Sequence, residues 1–433
     1  MTEESAATPF FADAPTGGQP EVSGSSLTVA LAVSTFVAEC GSFTFGCALS
    51  FSSPAESGIT ADLQLSTSQY AIFGSIMTIG SLISSLVSGK IADFLGRKRT
   101  MWLSQSLCTL GWLAIIFAEN VWWLYIGRLA MGFGVGIISF VVPVYVAEIT
   151  PKNLRGALTA GYQMTIAFGI SLTYIIGSLV SWRILAIIGS VSGFAQIVGL
   201  FCIPESPRWL VKVGRGEEIL EVLQKLRSNY VDVSAEAEEI QEYTKSCEGF
   251  EKFSIRGILD LFQRKYSQAL IVGVGLMVVQ QFGGSNAIVS YASYILDTAG
   301  FSTTVGSFGM AIIQIPAVII GVLLMDTWGR RPLTMLSLAG MCLSCFLLGS
   351  SFFLKDLGLC KAITPALVFL GLLLYSAFYS FAMGAIPFVI MAEVRSVVSH
   401  ELLGLCRCLN LIWCTYGGDE NLCVIGCTTN EGR

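Results

Sequence analysis

Long, nearly uninterrupted apolar stretches dominate the chain, each about as long as the roughly 20 residues a helix needs to cross a hydrocarbon core. They fall at 27–50, 69–92, 100–118, 122–146, 156–180, 182–203, 267–296, 304–326, 333–354 and 366–392. These ten predicted spans split into six and four around a polar segment, 204–265. Inside that segment the pattern changes period. Ile219, Val222, Leu223 and Leu226 recur at i, i+3, i+4, i+7 and so put one apolar stripe on a short helix. Further helices are expected over 234–246 and 254–265.

Lysine and arginine mark one side of the membrane. Arg97, Lys98 and Arg99 separate spans two and three, Lys152 and Arg155 spans four and five, and Arg330 and Arg331 spans eight and nine. The opposite connections are poor in basic residues; 51–68 holds Glu56 and Asp62 but no lysine or arginine. Basic loops stay in the cytoplasm, so the N-terminus and the central segment are expected there. Residues 1–26 are polar, contain no Lys or Arg, and lack the basic start and early apolar run of a secretory signal. They are expected to form a disordered tail.

Composition narrows the class further. The chain has 433 residues, 53% hydrophobic and only 13% charged, against about 25% charged in a soluble domain. An all-α integral membrane protein follows. No basic face suggests nucleic acid. The single histidine, His400, and the lack of a G-x-x-x-x-G-K-[ST] loop argue against a mixed Cys/His zinc site, an enzyme and an ATP-driven pump. No cofactor or metal is called for. The 13 cysteines, Cys342 and Cys345 among them, lie mostly in apolar runs and read as small hydrophobes.

A repeat organises the spans. Asp93-Phe-Leu-Gly96-Arg97-Lys98 follows span two, and Asp326-Thr-Trp-Gly329-Arg330-Arg331 follows span eight. Pro143 to Glu148 ends span four, and Pro387 to Glu393 ends span ten with one residue more. The same charge cluster at matching points argues for two homologous halves of a transporter.

With GKIADFLGRKR (89–99), GRLAMGFGVG (127–136), PVYVAEITPKNLRG (143–156), PESPRWL (204–210), QQFGGSN (280–286), DTWGRRPL (326–333) and GAIPFVIMAEV (384–394), the chain resembles the sugar porters of the major facilitator superfamily over about residues 27–394. The wording is most similar to the plant early-response-to-dehydration-six-like monosaccharide transporters. That resemblance implies a major facilitator fold: two pseudo-symmetric bundles, twelve helices, and a small-molecule sugar bound between them under alternating access. It implies residence in the vacuolar membrane first and the plasma membrane second. It divides the chain into an N-terminal bundle (27–203), a cytoplasmic helical domain (204–265) and a partial C-terminal bundle (266–392). By the family pattern two spans are wanting, because 393–433 is a Cys-rich tail without a further span. A transport-incompetent chain that associates with intact transporters is therefore the rival expectation.

The resemblance places sugar contacts at Gln163, Gln280, Gln281, Asn286 and Gln314, with Phe388 where the family usually has Trp. The chemistry agrees. Amides both donate and accept, as hydroxyls do, and pair with a neutral sugar without burying charge. Gly283 and Gly284 are expected to open span seven so that its amides converge. Asp93, Arg97, Glu148 and Arg155, with Asp326, Arg330 and Glu393, form the expected cytoplasmic gate. Proton-coupled members carry an Asp just after the Phe-Gly pair of span one. Here Phe45-Gly46 is followed by Cys47 and Ala48, while the usual partner Arg128 remains. Glu39 is the carboxylate left in that span and the candidate proton site with Arg128. Facilitated diffusion is the expectation, with proton symport the alternative.

Overall fold

The computed structural model describes residues 28–151, 154–227, 232–248, 275–276, 278–280, 282–357 and 363–387. The expectations for the tails (1–26 and 393–433), the helix at 254–265, and residues Gln281, Phe388 and Glu393 lie outside the described residues.

The first half is α1 (Val29–Ser50), α2 (Ser52–Leu63), α3 (Thr67–Leu95), α4 (Arg97–Ile116), α5 (Val121–Ile149), α6 (Arg155–Gly177) and α7 (Trp182–Gly199). Short helices α8 (Pro207–Lys212), α9 (Ile219–Arg227) and α10 (Ser234–Glu248) follow. The second half contains α11 (Ser285–Ala299), α12 (Thr303–Trp328), α13 (Arg330–Asp356) and α14 (Thr364–Phe378), which runs on as a π turn, Tyr379–Met383. Among the described residues, seven helices are long and apolar enough to cross a membrane.

Several helices start where a side chain satisfies their first amides. Thr28 Oγ1 accepts from Leu31 N, and Ser66 closes a reciprocal capping box with Gln69. Asn120 Oδ1 accepts from Trp122 and Trp123. Small residues then let helices approach closely, the usual device where lipid supplies no hydrophobic drive. A Cβ on Gly80 would sit 2.8 Å from the Leu129 carbonyl, and one on Gly169 2.6 Å from the Phe43 carbonyl. Hence α3 packs on α5 and α6 on α1. Large apolar side chains such as Phe36, Ile79, Leu323 and Phe346 point outward, as a lipid-facing surface requires. Cys47 and Cys108 are buried, whereas Cys342 and Cys345 lie on the exposed side of α13. For those two the expectation of buried packing is corrected to a lipid-facing position.

The connection expected at 51–68 is largely helix. Phe51 stays in the helical region, so α2 continues the direction of α1 and stops at Gln64 with φ 49°. Span seven breaks as its glycines predict. Gly284 has φ 80°, a left-handed conformation, and α11 starts after it. The two halves also repeat one backbone detail. Gly96 (φ 91°, ψ 163°) joins α3 to α4, and Gly329 (φ 81°, ψ 165°) joins α12 to α13. Both angle pairs lie in a region open essentially to glycine alone, so the repeated D-x-x-G-R motif builds the same corner twice.

Candidate functional site

Two glutamines from opposite halves meet at one break in the helix of span ten. Pro387 has no N–H, so the carbonyl four residues earlier, Met383, loses its intrahelical donor. Gln280 supplies one: its Nε2 donates to the Met383 oxygen at 2.9 Å. Gln163 of α6 donates from Nε2 to the adjacent Gly384 oxygen at 3.1 Å, across the space between the bundles. Gln280 is 1% exposed, a position at which an amide with no partner would be costly. Tyr379 lies beside Gln280 and Ser285, and the Tyr375 hydroxyl donates to the Gly283 carbonyl at 2.6 Å. The π turn and the broken span seven are thus tied together by side chains.

Gln314 is buried in α12 and accepts from Ser171 of α6 at 3.4 Å. Ser171 lies eight residues beyond Gln163, about 12 Å along the helix. The predicted contacts therefore form two layers rather than one cluster. Asn286 occupies the first turn of α11 on an exposed face. Beyond Gln314 the bundles stay in contact: the Tyr174 hydroxyl donates to the Val289 carbonyl at 2.7 Å, and Ser53 and Ser293 pair at 2.9 Å. Tyr375, Tyr379 and Ser171 escaped sequence reasoning. Pro387 was the available signal for the acceptor at Met383.

At the basic end, Arg97 forks onto Glu148, with Nε and Nη2 each 2.9 Å from a carboxylate oxygen. Its Nη1 reaches Asp93 at 3.2 Å, and Lys212 of α8 takes the other Asp93 oxygen at 2.8 Å. Bidentate geometry at a buried site is the strong form of this contact; the two side chains are 10% and 8% exposed. Glu205, which the sequence reading quoted but gave no role, caps α4. Its Oε1 accepts from the backbone N–H of Arg97, Lys98 and Ser206, each at 3.0 Å. Burial pushes the Glu205 carboxyl up, and the Ser206 and Lys98 amides oppose that shift. The Trp209 indole donates to the Asp93 carbonyl at 2.9 Å, and Arg227 of α9 to the Ile149 carbonyl at 2.7 Å. PESPRWL thus docks the central helices on the first half. Arg330 is half-buried at the matching corner of the second half; the side chains of Arg155 and Asp326 lie outside the description. The described contacts of Arg97, Glu148 and Asp93 are all within the first half and its central helices.

The Glu39–Arg128 pair is not formed. Arg128, 1% exposed, donates to the Ala48 carbonyl at 2.7 Å and to Ser52 Oγ, and rests on the Phe73 ring at 4.4 Å. Its two terminal nitrogens are thus held by a carbonyl and a hydroxyl, while its Nε is buried with no hydrogen-bond partner among the described residues. Glu39 instead lines a cavity of about 550 Å³ with Phe36, Phe43, Phe168 and Ile315. Phe36 and Phe168 are exposed, and neither Gln163 nor Gln280 lines this cavity.

The family described as "Sugar (and other) transporter" matches residues 28–413. The chain belongs to this sugar transporter family. Its membership makes it a multi-pass transporter and not an enzyme. Sugar transporter ERD6-like 18 and ERD6-like 17 of Arabidopsis thaliana are each 47% identical over 368 residues, 85% of this chain and 76% and 77% of theirs. Sugar transporter ESL1 of the same plant is 43% identical over 87% of this chain and 79% of its own. Among solved structures, the partially occluded inward-open xylose transporter XylE of E. coli aligns with TM-score 0.67 over 92% of this chain and 96% of its own, at 21% identity. The proton:xylose symporter XylE bound to 6-bromo-6-deoxy-D-glucose aligns with TM-score 0.70 over 93% and 89%, also at 21%. These two likenesses establish the major facilitator fold.

Proposed function

We propose that the chain carries a monosaccharide, a hexose such as glucose or fructose, by facilitated diffusion through alternating access. The observation that carries this reading is the convergence of Gln163 and Gln280, one from each half, on the Met383 and Gly384 carbonyls. Neutral donors that close on a backbone carbonyl can exchange it for a sugar hydroxyl at little electrostatic cost. Gln281, Asn286, Gln314 and Phe388 complete the proposed contact set. A sugar entering from the basic, cytoplasmic end would replace the Gln163–Gly384 bond with its own and so release one half from the other.

The Arg97–Glu148–Asp93 cluster is the first-half part of the proposed cytoplasmic gate. Arg155, Asp326, Arg330 and Glu393 are its remaining members. Uniport is supported by Arg128, whose charge is held by a carbonyl and a hydroxyl rather than by a titrating carboxylate. Plant homology supports the vacuolar membrane, with the plasma membrane as the alternative.

The test is hexose uptake into proteoliposomes with and without an imposed proton gradient. Equal initial rates support uniport. Acceleration by an inward proton gradient would establish symport instead.

A further inference from the structure

The end of the molecule opposite the basic loops is closed by α2 of the first half against α11 of the second. Ser53 and Ser293 share a hydroxyl pair at 2.9 Å, and Ser293 N donates to Ser53 Oγ at 2.9 Å. The Tyr291 hydroxyl donates to the Ala71 carbonyl of α3 at 3.4 Å. One turn after Ser52 and beside Ser53 stands Glu56. Its Oε2 is buried and has no hydrogen-bond partner among the described residues. Across the same seam, Asp297 of α11 is exposed and near enough for its charge to act on Glu56.

Among the described residues, no cation forms an ion pair with Glu56 or Asp297; the nearby charged and titratable groups have other partners. Tyr70 of α3 donates its hydroxyl to the Ser52 carbonyl. Arg128 of α5 is one turn away, held by Ser52 and Ala48. Arg183 of α7 is taken by Asp62 at 3.2 Å. Tyr174 of α6 is taken by the Val289 carbonyl, and Lys355 of α13 donates to the Thr298 carbonyl beside Asp297. From α1 the nearest titratable side chain along the chain is the buried Cys47. From α11 the neighbouring groups are Asp297 and Tyr291.

We propose that Glu56 is a proton-binding residue of this gate. With a proton on Glu56, α2 and α11 seat together; without it, two carboxylates oppose each other across the seam and drive it apart. Burial first, and then the charge of Asp297, push the Glu56 carboxyl from its ordinary 4.5 up to about 7 in the closed arrangement. An opened gate hydrates Glu56 and returns it toward 4.5. The sign follows from linkage. Below 4.5 both arrangements are protonated, and the equilibrium is flat. Between 4.5 and about 7 only the closed gate keeps the proton, so each pH unit raises the open-to-closed ratio up to tenfold. Above about 7 it is flat again. The proton stays on this side of the membrane, so the device sets which way the transporter faces without coupling a proton to each sugar. In an acidic compartment such as a vacuole it would favour the cytoplasm-facing form.

The test reads the gate, not sugar flux, so it stands apart from the proposed substrate. Spin labels on noncanonical side chains at the exposed positions Ala61 and Thr298 would report the α2–α11 distance by pulsed electron resonance between pH 4 and 8.5. The expected result is a long-distance population that grows through the window below about pH 7 in the native chain and is small and pH-independent in Glu56→Gln. Asp297→Asn, which removes the opposing charge and keeps Glu56, is expected to move the transition to lower pH; this arm stands even if Glu56→Gln does not yield a monodisperse protein. A distance that ignores pH in the native chain, or an unshifted transition in either variant, would overturn the proposal.

Discussion

The Gln163 amide donates to the Gly384 carbonyl at 3.1 Å, and this bond joins the two halves of the transporter. Gln280 makes the matching bond to Met383 from within the second half. Both acceptors sit where the helix of span ten changes pitch. On the proposed reading, this pair of backbone carbonyls competes with the sugar for the two amides.

Removing Gln163 takes a donor from the Gly384 carbonyl and removing Gln280 takes one from Met383, and on the proposed reading each also takes a partner from the sugar. One hydrogen bond is worth about 0.5–1.5 kcal/mol, so Gln163→Ala and Gln280→Ala are each expected to raise the half-saturating hexose concentration roughly two- to thirteenfold. Concentration series of hexose counterflow would show it.

The Arg97–Glu148 fork predicts a large stability effect. Breaking a buried ion pair by removing one partner costs about 3–5 kcal/mol. Glu148→Gln is expected to lower the apparent melting temperature by about 5–10 °C. Glu221→Gln, which breaks the exposed pair with Lys225, should leave it unchanged. Thermal unfolding in detergent, followed by native-cysteine reactivity, distinguishes the two.

Gly96 and Gly329 offer a paired experiment. Each holds a backbone region that costs other residues about 1–3 kcal/mol. A Cβ at Gly96 would also meet Glu205 Oε2 at 2.7 Å, whereas one at Gly329 meets nothing within 4 Å. Both alanine variants should destabilise, and Gly96→Ala should do so more. Equal melting temperatures would remove Glu205 from the account.

Glu39 lines the cavity with Phe36 and Phe168 instead of meeting Arg128. Glu39→Gln is accordingly expected to leave hexose uptake, and its response to an imposed proton gradient, as in the native chain. Gradient-driven uptake by the native chain that Glu39→Gln abolishes would restore Glu39 as a coupling site.

Much of this was legible in the chain. Apolar runs foretold the seven long apolar helices among the described residues because a bilayer fixes their length, and the repeated D-x-x-G-R motif foretold the matched corners at Gly96 and Gly329. The glycine pair 283–284 foretold the break before α11. Other features depended on tertiary contact. The segment after Ser52 read as a loop, because its polar residues hide a helix that is held in place by α11, α6 and α7. Glu205 looked like one more charge until its three amide partners were in place. Arg128 and Glu39 shared a span-level neighbourhood in the sequence, yet helix rotation set them on different faces. The Met383 acceptor was readable from Pro387, since a missing N–H must leave a carbonyl four residues back.

The central claim is that Gln163 and Gln280 hold a sugar between the two halves. Glucose counterflow into proteoliposomes bearing the purified chain, beside the Gln163→Ala/Gln280→Ala double variant, tests it most directly. The account predicts saturable counterflow by the native chain and a loss of at least about fivefold at low glucose in the variant. No counterflow by the native chain, or equal counterflow by both, would contradict it.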